Sequence, residues 1–312
     1  MDKRITIEQN KADSIDCLAA QRFLYSSAKN YSGLQFYLNV VLIVVGSFVV
    51  YMLNQGWLCV KIDLSAYLAL ASILVTVLNS LLLIPVIKRK KELAAKIQER
   101  FDTKVLSLDW NAINIGLIPG SEYIKIFSTK QKNKKNGDQG LKDWYSSIVD
   151  SVPIHVGRFI CQRSNLSWDV YLREKYLKLI IISSGIIALL VLLIGVQYEL
   201  NIKDIVLNIA SPLLPIVTFC IDQYRDNKES IENLKKLKDD LNSGWQGLIS
   251  TNQVPEEAYV ISRRIQDEIY KNRKDNQLIY DFLYKKYRNE QEEAMYYSVD
   301  DMINEYNHIL NP

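Results

Sequence analysis

The segment Cys161–Gly195, CQRSNLSWDVYLREKYLKLIIISSGIIALLVLLIG, joins a polar half to an apolar half without a break. Its first half carries arginines, a tryptophan and an aspartate, whereas no charged residue occurs from Leu179 to the end of the segment. Asn165 is a good N-cap residue, and no proline or glycine interrupts Leu166–Ser184. The pattern predicts one continuous helix that begins at Asn165 in water and continues into a bilayer.

Four long uncharged windows occur in a chain whose overall composition is that of an ordinary soluble protein, with 23% charged residues and a net charge of +3 over 312 residues. They are Asn30–Val60, Leu64–Ile87, Leu179–Tyr198 and Ile205–Ile221. A bilayer core needs roughly 20 apolar helical residues, which the first three windows provide and the fourth nearly does. Core helices of a soluble protein are the alternative, but such helices keep a charged face. We therefore predict an all-α integral membrane protein with four transmembrane helices arranged as two hairpins.

Positive charge is concentrated at one end of each predicted span. Lys88–Lys91 follows the second window, Arg173 and Lys178 precede the third, and Arg225 follows the fourth. The two hairpin turns carry only one lysine each. Under the positive-inside rule, both termini and the middle of the chain lie in the cytoplasm.

The predicted organisation alternates membrane and cytoplasmic segments along the whole chain. It comprises a cytoplasmic amphipathic N-terminal helix (1–33), a first transmembrane hairpin (34–87), a cytoplasmic helical region with a basic loop (88–176), a second transmembrane hairpin (177–221) and a cytoplasmic C-terminal helical region (222–312).

Helical periodicity also sets expectations for the cytoplasmic segments. Apolar residues at helical spacing from Leu93 to Val105 predict a stalk that leaves the membrane. A second such helix is expected to end at Asn242–Gly247, NSGWQG, and the last residues are expected to form a pair of helices, Asp275–Tyr297 and Val299–Leu310. The basic stretch Lys130–Gly140 is typical of a solvated loop rather than a phosphate-binding tract, because it contains no aromatic residue.

The residues that carry enzyme or metal chemistry are few and scattered. No nucleophile, base and orienting group can be assembled, so we expect no enzyme and no catalytic residues. Cysteine and histidine show no paired spacing for a metal or a disulfide framework, and we expect no metal and no cofactor. These residues are Cys17, Cys59, Cys161, Cys220, His155 and His308.

Polar residues follow one arc of the second and of the fourth predicted span. At about 100 degrees per residue they would lie within a narrow face. Such a face either lines a pore or allows close helix packing, and both interpretations stay open. The candidate residues are Ser72, Thr76, Asn79, Asn208, Ser211 and Thr218.

Four sequence blocks together resemble one protein family. They are the N-terminal EQN…LAAQRFLYSSAK, then FDTKVLSLDWN, then WYSSIV…VP…CQRSNLSWDVYLREKY, and finally SRRIQDEIYKNR. In this order, around two hairpins, they are similar to the SMODS-associated four-transmembrane effector family of bacterial anti-phage (CBASS-type) signalling systems. The resemblance implies a membrane effector that a cyclic nucleotide from a companion nucleotidyltransferase activates. Activation would perturb or permeabilise the inner membrane and cause growth arrest or death of the infected cell.

A cyclic nucleotide presents phosphates and flat bases, so its site needs arginines and aromatic or guanidinium faces. The segment from Arg263 to Arg273 offers both within about three helical turns, and burial of these residues in helix packing is the alternative. The candidate ligand-binding residues are Arg263, Arg264, Gln266, Tyr270 and Arg273, followed by Arg163 and Trp168.

The expected partners are the lipid bilayer, further copies of the chain and the cyclic nucleotide, without nucleic acid. The expected location is the bacterial inner membrane. A small oligomeric channel or transporter unrelated to defence signalling is the alternative function. Proton-coupled transport would favour an ionisable residue deep in a span, whereas Asp204 and Asp222 lie at the span ends.

Overall fold

The computed structural model describes residues 4–38, 65–197, 211–250 and 255–310, with five positions between 45 and 53. Within these ranges the chain is helical and contains no strand, which confirms the all-α prediction for the described residues. We number the helices discussed below in chain order. They are α1 (Ile5–Gln9), α2 (Ala12–Phe36), α3 (Ser65–Leu78), α4 (Ile84–Val105), α5 (Ala112–Ile115), α6 (Ser121–Lys132), α7 (Ile154–Gln197), α8 (Ser211–Ser250), α9 (Pro255–Asp275) and α10 (Asp281–Leu310).

The first compact unit comprises Met1–Ser27, Lys90–Lys175 and Glu229–Pro312. Its core is apolar and includes Phe101 and Phe159, neither of which has exposed surface. The predicted stripe on α4 is part of this core, since Ile97, Phe101 and Val105 are all buried. Burial of these large side chains stabilises the unit through the hydrophobic effect.

The second compact unit comprises Ala28–Arg89 and Tyr176–Lys228. Leu70, Ile73 and Leu81 are each more than half exposed. The helical stretch Ala69–Val105 runs from α3 through α4. Among the described residues it is the one helix that is long and apolar enough to cross a membrane, and only 6% of its most apolar window is buried. A water-soluble helix would bury such a surface, so this helix is typical of a lipid-facing span. Four spans remain a prediction, because residues 54–64 and 198–210 lie outside the described residues.

The helix α7 is continuous from Ile154 to Gln197, and its continuity through Leu166–Ser184 agrees with the sequence. The predicted start at Asn165 was wrong. The helix begins after Pro153, whose carbonyl accepts hydrogen bonds from the backbone N–H groups of Val156 and Gly157 at 2.9 and 3.0 Å. Proline at the start of a helix loses no intrahelical hydrogen bond, so it serves this position well. Asn165 lies inside the helix, and its side-chain amide donates a hydrogen bond to the hydroxyl of Tyr145.

The predicted break at NSGWQG was also wrong, because α8 continues through Gly244 to Ser250. A Cβ atom at Gly244 would lie 3.0 Å from a methyl group of Ile261 and 3.1 Å from the ring of Phe159. The glycine therefore permits close packing of α8 against α7 and α9 rather than ending the helix.

The predicted pair of C-terminal helices is a single helix, α10. Residues 276–280 form the non-helical connection, and α10 then runs through Ser298 without interruption. Val299, Met302 and Ile303 are buried in the core of the first unit. The apolar face therefore continues past the predicted boundary, and packing maintains the helix there.

Candidate functional site

Two fully buried carboxylates on α4 form the centre of a polar network in the first unit. Glu99 and Asp102 have no exposed surface. They are three residues apart, so both side chains project from the same face of the helix. Each receives an arginine from α9: Arg263 Nη2 lies 2.8 Å from Glu99 Oε1, and Arg273 Nη1 pairs with Asp102 Oδ2. The network thus neutralises two charges that would otherwise be costly to bury.

Gln266 joins the two acids, since its Nε2 donates to Glu99 Oε2 at 2.8 Å and to Asp102 Oδ2 at 3.2 Å. Gln162 of α7 donates to Gln266 Oε1 at 3.1 Å and accepts from the hydroxyl of Ser262 at 3.0 Å. All three of these amide and hydroxyl side chains are buried. The hydrogen bonds therefore connect α4, α7 and α9 inside the core.

Tyr145 completes the network through contacts with Asp102, Asn165 and Gln9. Its hydroxyl donates to Asp102 Oδ1 at 2.7 Å and accepts from Asn165 Nδ2 at 2.9 Å. Its backbone N–H donates to Gln9 Oε1 at 2.7 Å, and Gln9 Nε2 donates to its carbonyl at 3.1 Å. We call Glu99, Asp102, Tyr145, Arg263, Gln266 and Arg273 the buried polar network.

The electrostatics of the network follow from burial and from the short distance between its two acids. Burial and the neighbouring Asp102 raise the pKa of Glu99 to about 7, although Arg263 and Gln266 act to lower it. Burial also raises the pKa of Tyr145 well above its ordinary value. Burial by itself would lower the pKa of Arg273, but Asp102 raises it, so this arginine stays charged.

The structure brings three predicted ligand residues together in this network, namely Arg263, Gln266 and Arg273. Arg263 and Arg273 have carboxylate partners, an arrangement that matches the packing role left open by the sequence. A ligand phosphate at these arginines would have to displace Glu99 or Asp102 and leave a buried carboxylate unpaired. Their ligand-binding role therefore stays a prediction that carries this energetic cost.

The other two α9 candidates are separated from the network. Tyr270 is buried in a small apolar cluster with Ala95 and Ile115, against Trp110. Arg264 is exposed, and no ion pair of Arg264 occurs among the described residues. Exposure leaves Arg264 accessible to a ligand but gives it no fixed geometry.

The predicted pair on α7 also lies in the first unit. Arg163 Nε donates to Asn242 Oδ1 at 3.1 Å, and Nη1 donates to the hydroxyl of Ser298. The ring of Trp168 lies 5.6 Å from the ring of Tyr284, with an interplanar angle of 43°. Trp168 is thus half-buried beside a second aromatic residue.

The polar residues of the predicted spans partly hydrogen-bond within their own helices. Thr76 Oγ1 donates to the carbonyl of Ser72 at 2.8 Å, and Thr218 Oγ1 donates to the carbonyl of Leu214 at 2.7 Å. Asn79 begins a π-helical turn, Asn79–Leu83, and its buried Oδ1 has no hydrogen-bond partner within the part of the chain that the structure describes. Ser211 is the first residue of α8, while Asn208 lies outside the described residues. Pore lining and close helix packing both remain predictions for these residues.

Sequence reasoning missed the acidic half of the network. Glu99 and Asp102 flank Phe101, which the helical pattern correctly places in the core. Carboxylates this close to a buried apolar stripe require cationic or hydrogen-bonding partners. That requirement could have predicted from the sequence that Glu99 and Asp102 have such partners.

An exposed apolar span in an all-helical chain that also contains a buried polar core is the architecture of a helical membrane protein with a folded extramembrane part. The chain belongs to the family of the SMODS-associating 4TM effector domain, whose family model matches residues 3–302. This confirms the resemblance seen in the sequence. Over 298 residues the chain is 26% identical to a probable CBASS effector molecule of Bacillus cereus (strain VD146), covering 92% of this chain and 94% of that relative. No solved structure matches the chain.

Proposed function

We propose that this protein is a membrane effector of a bacterial CBASS-type anti-phage system, activated by a cyclic nucleotide from a companion nucleotidyltransferase. Once activated it permeabilises the inner membrane and stops growth of the infected cell. The observation that carries the proposal is the family match over residues 3–302. The probable CBASS effector among its relatives supports the same function.

The exposed span supports the membrane part of the proposal. Leu70, Ile73 and Leu81 face outward with little protein contact, as lipid-facing residues do. Thr76 and Asn79 place polar groups on the same span, and a π-helical turn begins at Asn79. Single π-helical turns occur frequently at functional sites. Because the few spans of one chain cannot enclose much water, we propose that several copies assemble around the polar faces.

The continuous helix α7 supports a route from the cytoplasm to the membrane. Its Ile154–Lys175 part belongs to the first unit, where it contributes Phe159 and Gln162 to the core. Its hydrogen-bonded backbone continues without a break to Gln197. We propose that nucleotide binding shifts the first part of α7 and that the helix transmits this shift to its apolar part.

The test reconstitutes the purified full-length chain in liposomes loaded with a self-quenched dye. A panel of cyclic di- and trinucleotides is added, with the matching linear nucleotides as controls. One cyclic nucleotide should cause dye release, and the linear forms should cause none. Equal release without any nucleotide would instead favour a constitutive channel, and no release under any condition would contradict permeabilisation.

Location is tested separately in cells. Reporter domains that are active only in the cytoplasm are fused to either terminus, and both fusions should be active. A periplasmic result for either terminus contradicts the proposed topology. Co-expression with the nucleotidyltransferase should arrest growth, whereas a catalytically inactive nucleotidyltransferase should not.

A further inference from the structure

Two arginines from distant parts of the chain converge on one loop residue in the first unit. Arg22 of α2 donates from Nη1 to the carbonyl of Gln139 at 2.7 Å and from Nη2 to the carbonyl of Gly140 at 2.9 Å. Arg288 of α10 approaches the same residue, since a Cβ atom at Gly140 would lie only 2.8 Å from its Nη2. Gly140 also has a φ of +66°, a conformation that favours glycine. Because Gly140 has no Cβ atom, both guanidinium groups can lie beside it.

The positive charge at this place is incompletely neutralised. Arg22 is half-buried, its hydrogen bonds go to neutral carbonyls, and no carboxylate forms an ion pair with it among the described residues. Among the described residues the one hydrogen bond of Arg288 runs from Nε to Glu292 at 2.7 Å, and its two terminal nitrogens lie near Gly140. Burial, together with the nearby Arg288, lowers the pKa of Arg22, although Asp281 and Tyr284 act in the opposite direction. Two guanidinium groups in this arrangement favour a bound anion.

Aromatic side chains lie beside the two arginines. Tyr284 is one turn before Arg288 on α10 and interacts electrostatically with both Arg22 and Arg288. Its ring lies 5.6 Å from the ring of half-buried Trp168. Base–aromatic stacking and guanidinium contacts to phosphate are two of the interactions by which proteins bind nucleotides. A simple inorganic anion would use only the arginines.

Gly140 also borders an open cleft of about 630 Å³. The four side chains Arg22, Arg288, Tyr284 and Trp168 are not among the residues that line this cleft. Lys142 adds positive charge to the cleft and Asp138 opposes it, whereas Lys132 is paired with Asp16. The other lining residues are Ile15, Lys132, Asp138, Leu141 and Lys142.

We propose that Arg22, Arg288, Tyr284 and Trp168 form a binding site for a cyclic nucleotide, here called the Gly140 site. The two arginines bind a phosphodiester, and the aromatic pair contacts a base. The inference rests on the proposed function, because it assigns the site at which the activating nucleotide binds. It differs from the α9 segment, where Arg263 and Arg273 already have buried carboxylate partners.

The test measures nucleotide affinity by calorimetry for the full-length chain in phosphatidylcholine nanodiscs, with the panel of cyclic di- and trinucleotides as probes. Arg288→Gln should weaken binding about tenfold or more, since it removes charged hydrogen bonds to phosphate. Trp168→Leu should weaken it roughly tenfold through lost stacking. Arg22→Lys keeps the charge but loses the two hydrogen bonds that hold the guanidinium group against Gln139 and Gly140, so it should also weaken binding.

Two matched variants sharpen the test. Glu292→Gln frees Arg288 from its internal partner and should leave affinity unchanged or raise it, in the opposite direction to Arg288→Gln. Arg264→Gln removes the same charge from an exposed arginine outside the site and should have no effect. Circular dichroism of each variant, with apparent Tm, verifies that the fold is retained.

The outcomes separate this site from the proposed function. If the wild-type chain binds a cyclic nucleotide and the Arg22, Arg288 and Trp168 variants bind it equally well, the Gly140 site is wrong and the function stands. If Arg264→Gln alone weakens binding, the ligand lies on α9. A wild-type chain that binds no cyclic nucleotide overturns the proposed trigger together with the site.

A lipid phosphodiester offers the arginines the same charge without a base. Repeating the titration in phosphatidylglycerol nanodiscs distinguishes the two sources. Unchanged nucleotide affinity is expected for a nucleotide site. Loss of nucleotide binding in the anionic lipid would identify the headgroup as the occupant and overturn the assignment.

Discussion

Arg263 of α9 donates to Glu99 of α4 across 2.8 Å, although the two residues are 164 positions apart in the chain. The carboxylate has no exposed surface, and the arginine side chain is 13% exposed. Arg273 makes the equivalent contact with Asp102 two to three turns further along α9. Removing one partner of such a buried ion pair lowers the stability of the fold, because the other partner remains as a buried, unpaired charge.

Replacing Arg273 by methionine should therefore lower the free energy of unfolding of the protein by about 3–5 kcal/mol, because Asp102 loses its cation. Arg264→Met is the matched control on the same helix, and its exposed position should keep the change within about 0.5 kcal/mol. Denaturant unfolding in detergent, followed by circular dichroism, measures both. Equal effects of the two substitutions would show that the buried ion pair has no special role.

Stability should depend on pH through Glu99. Its pKa is about 7 in the folded protein against 4.5 as the ordinary value, so between these values the folded state binds more protons than the unfolded state. The free energy of unfolding therefore falls as pH rises from about 4.5 to about 7 and levels off above. Glu99→Gln should remove this slope, so its change in apparent Tm between pH 5.5 and pH 8 should be smaller than that of the wild-type chain, by several degrees.

Other titrating groups do not produce this difference in pH dependence between the wild-type chain and Glu99→Gln. The pKa values of Glu8, Asp13 and Asp16 are lowered, so their contributions are lost only below their ordinary values. Burial lowers the pKa of His155, which makes stability fall toward acid pH, but equally in both proteins. An identical pH dependence for the wild-type chain and Glu99→Gln would contradict the assignment.

Gly244 should tolerate no larger side chain. A Cβ atom there would already be within 3.1 Å of Phe159 and Ile261, so Gly244→Val should cost about 1–3 kcal/mol through overpacking. Gly33→Ala in α2 is the matched control, since no described residue lies within 4 Å of the added Cβ atom and the helix should gain roughly 0.5–1 kcal/mol. Thermal unfolding of the two variants should therefore shift in opposite directions, and a rise in Tm for Gly244→Val would contradict the packing role of the glycine.

The polar face of the exposed span should be needed for permeabilisation. The double substitution of Thr76 and Asn79 by leucine should abolish nucleotide-dependent dye release while membrane insertion is kept, because lipid accepts leucine but a wetted or closely packed face does not. Ile73→Leu with Val77→Leu, at two exposed apolar positions of the same helix, is the control and should release dye normally. Normal release by the Thr76 and Asn79 double variant would exclude this face from the mechanism.

The local sequence pattern was sufficient to predict the helical class and the protein family. The apolar stripe from Leu93 to Val105 correctly predicted the buried face of α4, because 3.6-residue periodicity is a property of the chain itself. The uncharged window Leu64–Ile87 correctly predicted an exposed apolar helix for the same reason. Helix boundaries were less predictable. Asn165 has the chemistry of a cap and Gly244 that of a breaker, yet contacts with Tyr145 and with Phe159 determine what each residue does.

The sequence by itself therefore determined the helical class, the apolar span and the membership of an effector family, all of which depend on residues close together in the chain. Only the tertiary structure decided which charges meet. It paired Arg263 with Glu99 and Arg273 with Asp102, and it brought Arg22 and Arg288 together at Gly140. These residues are separated by more than a hundred positions, and the energy of an ion pair depends on distance and burial in space, which no periodicity along the chain encodes.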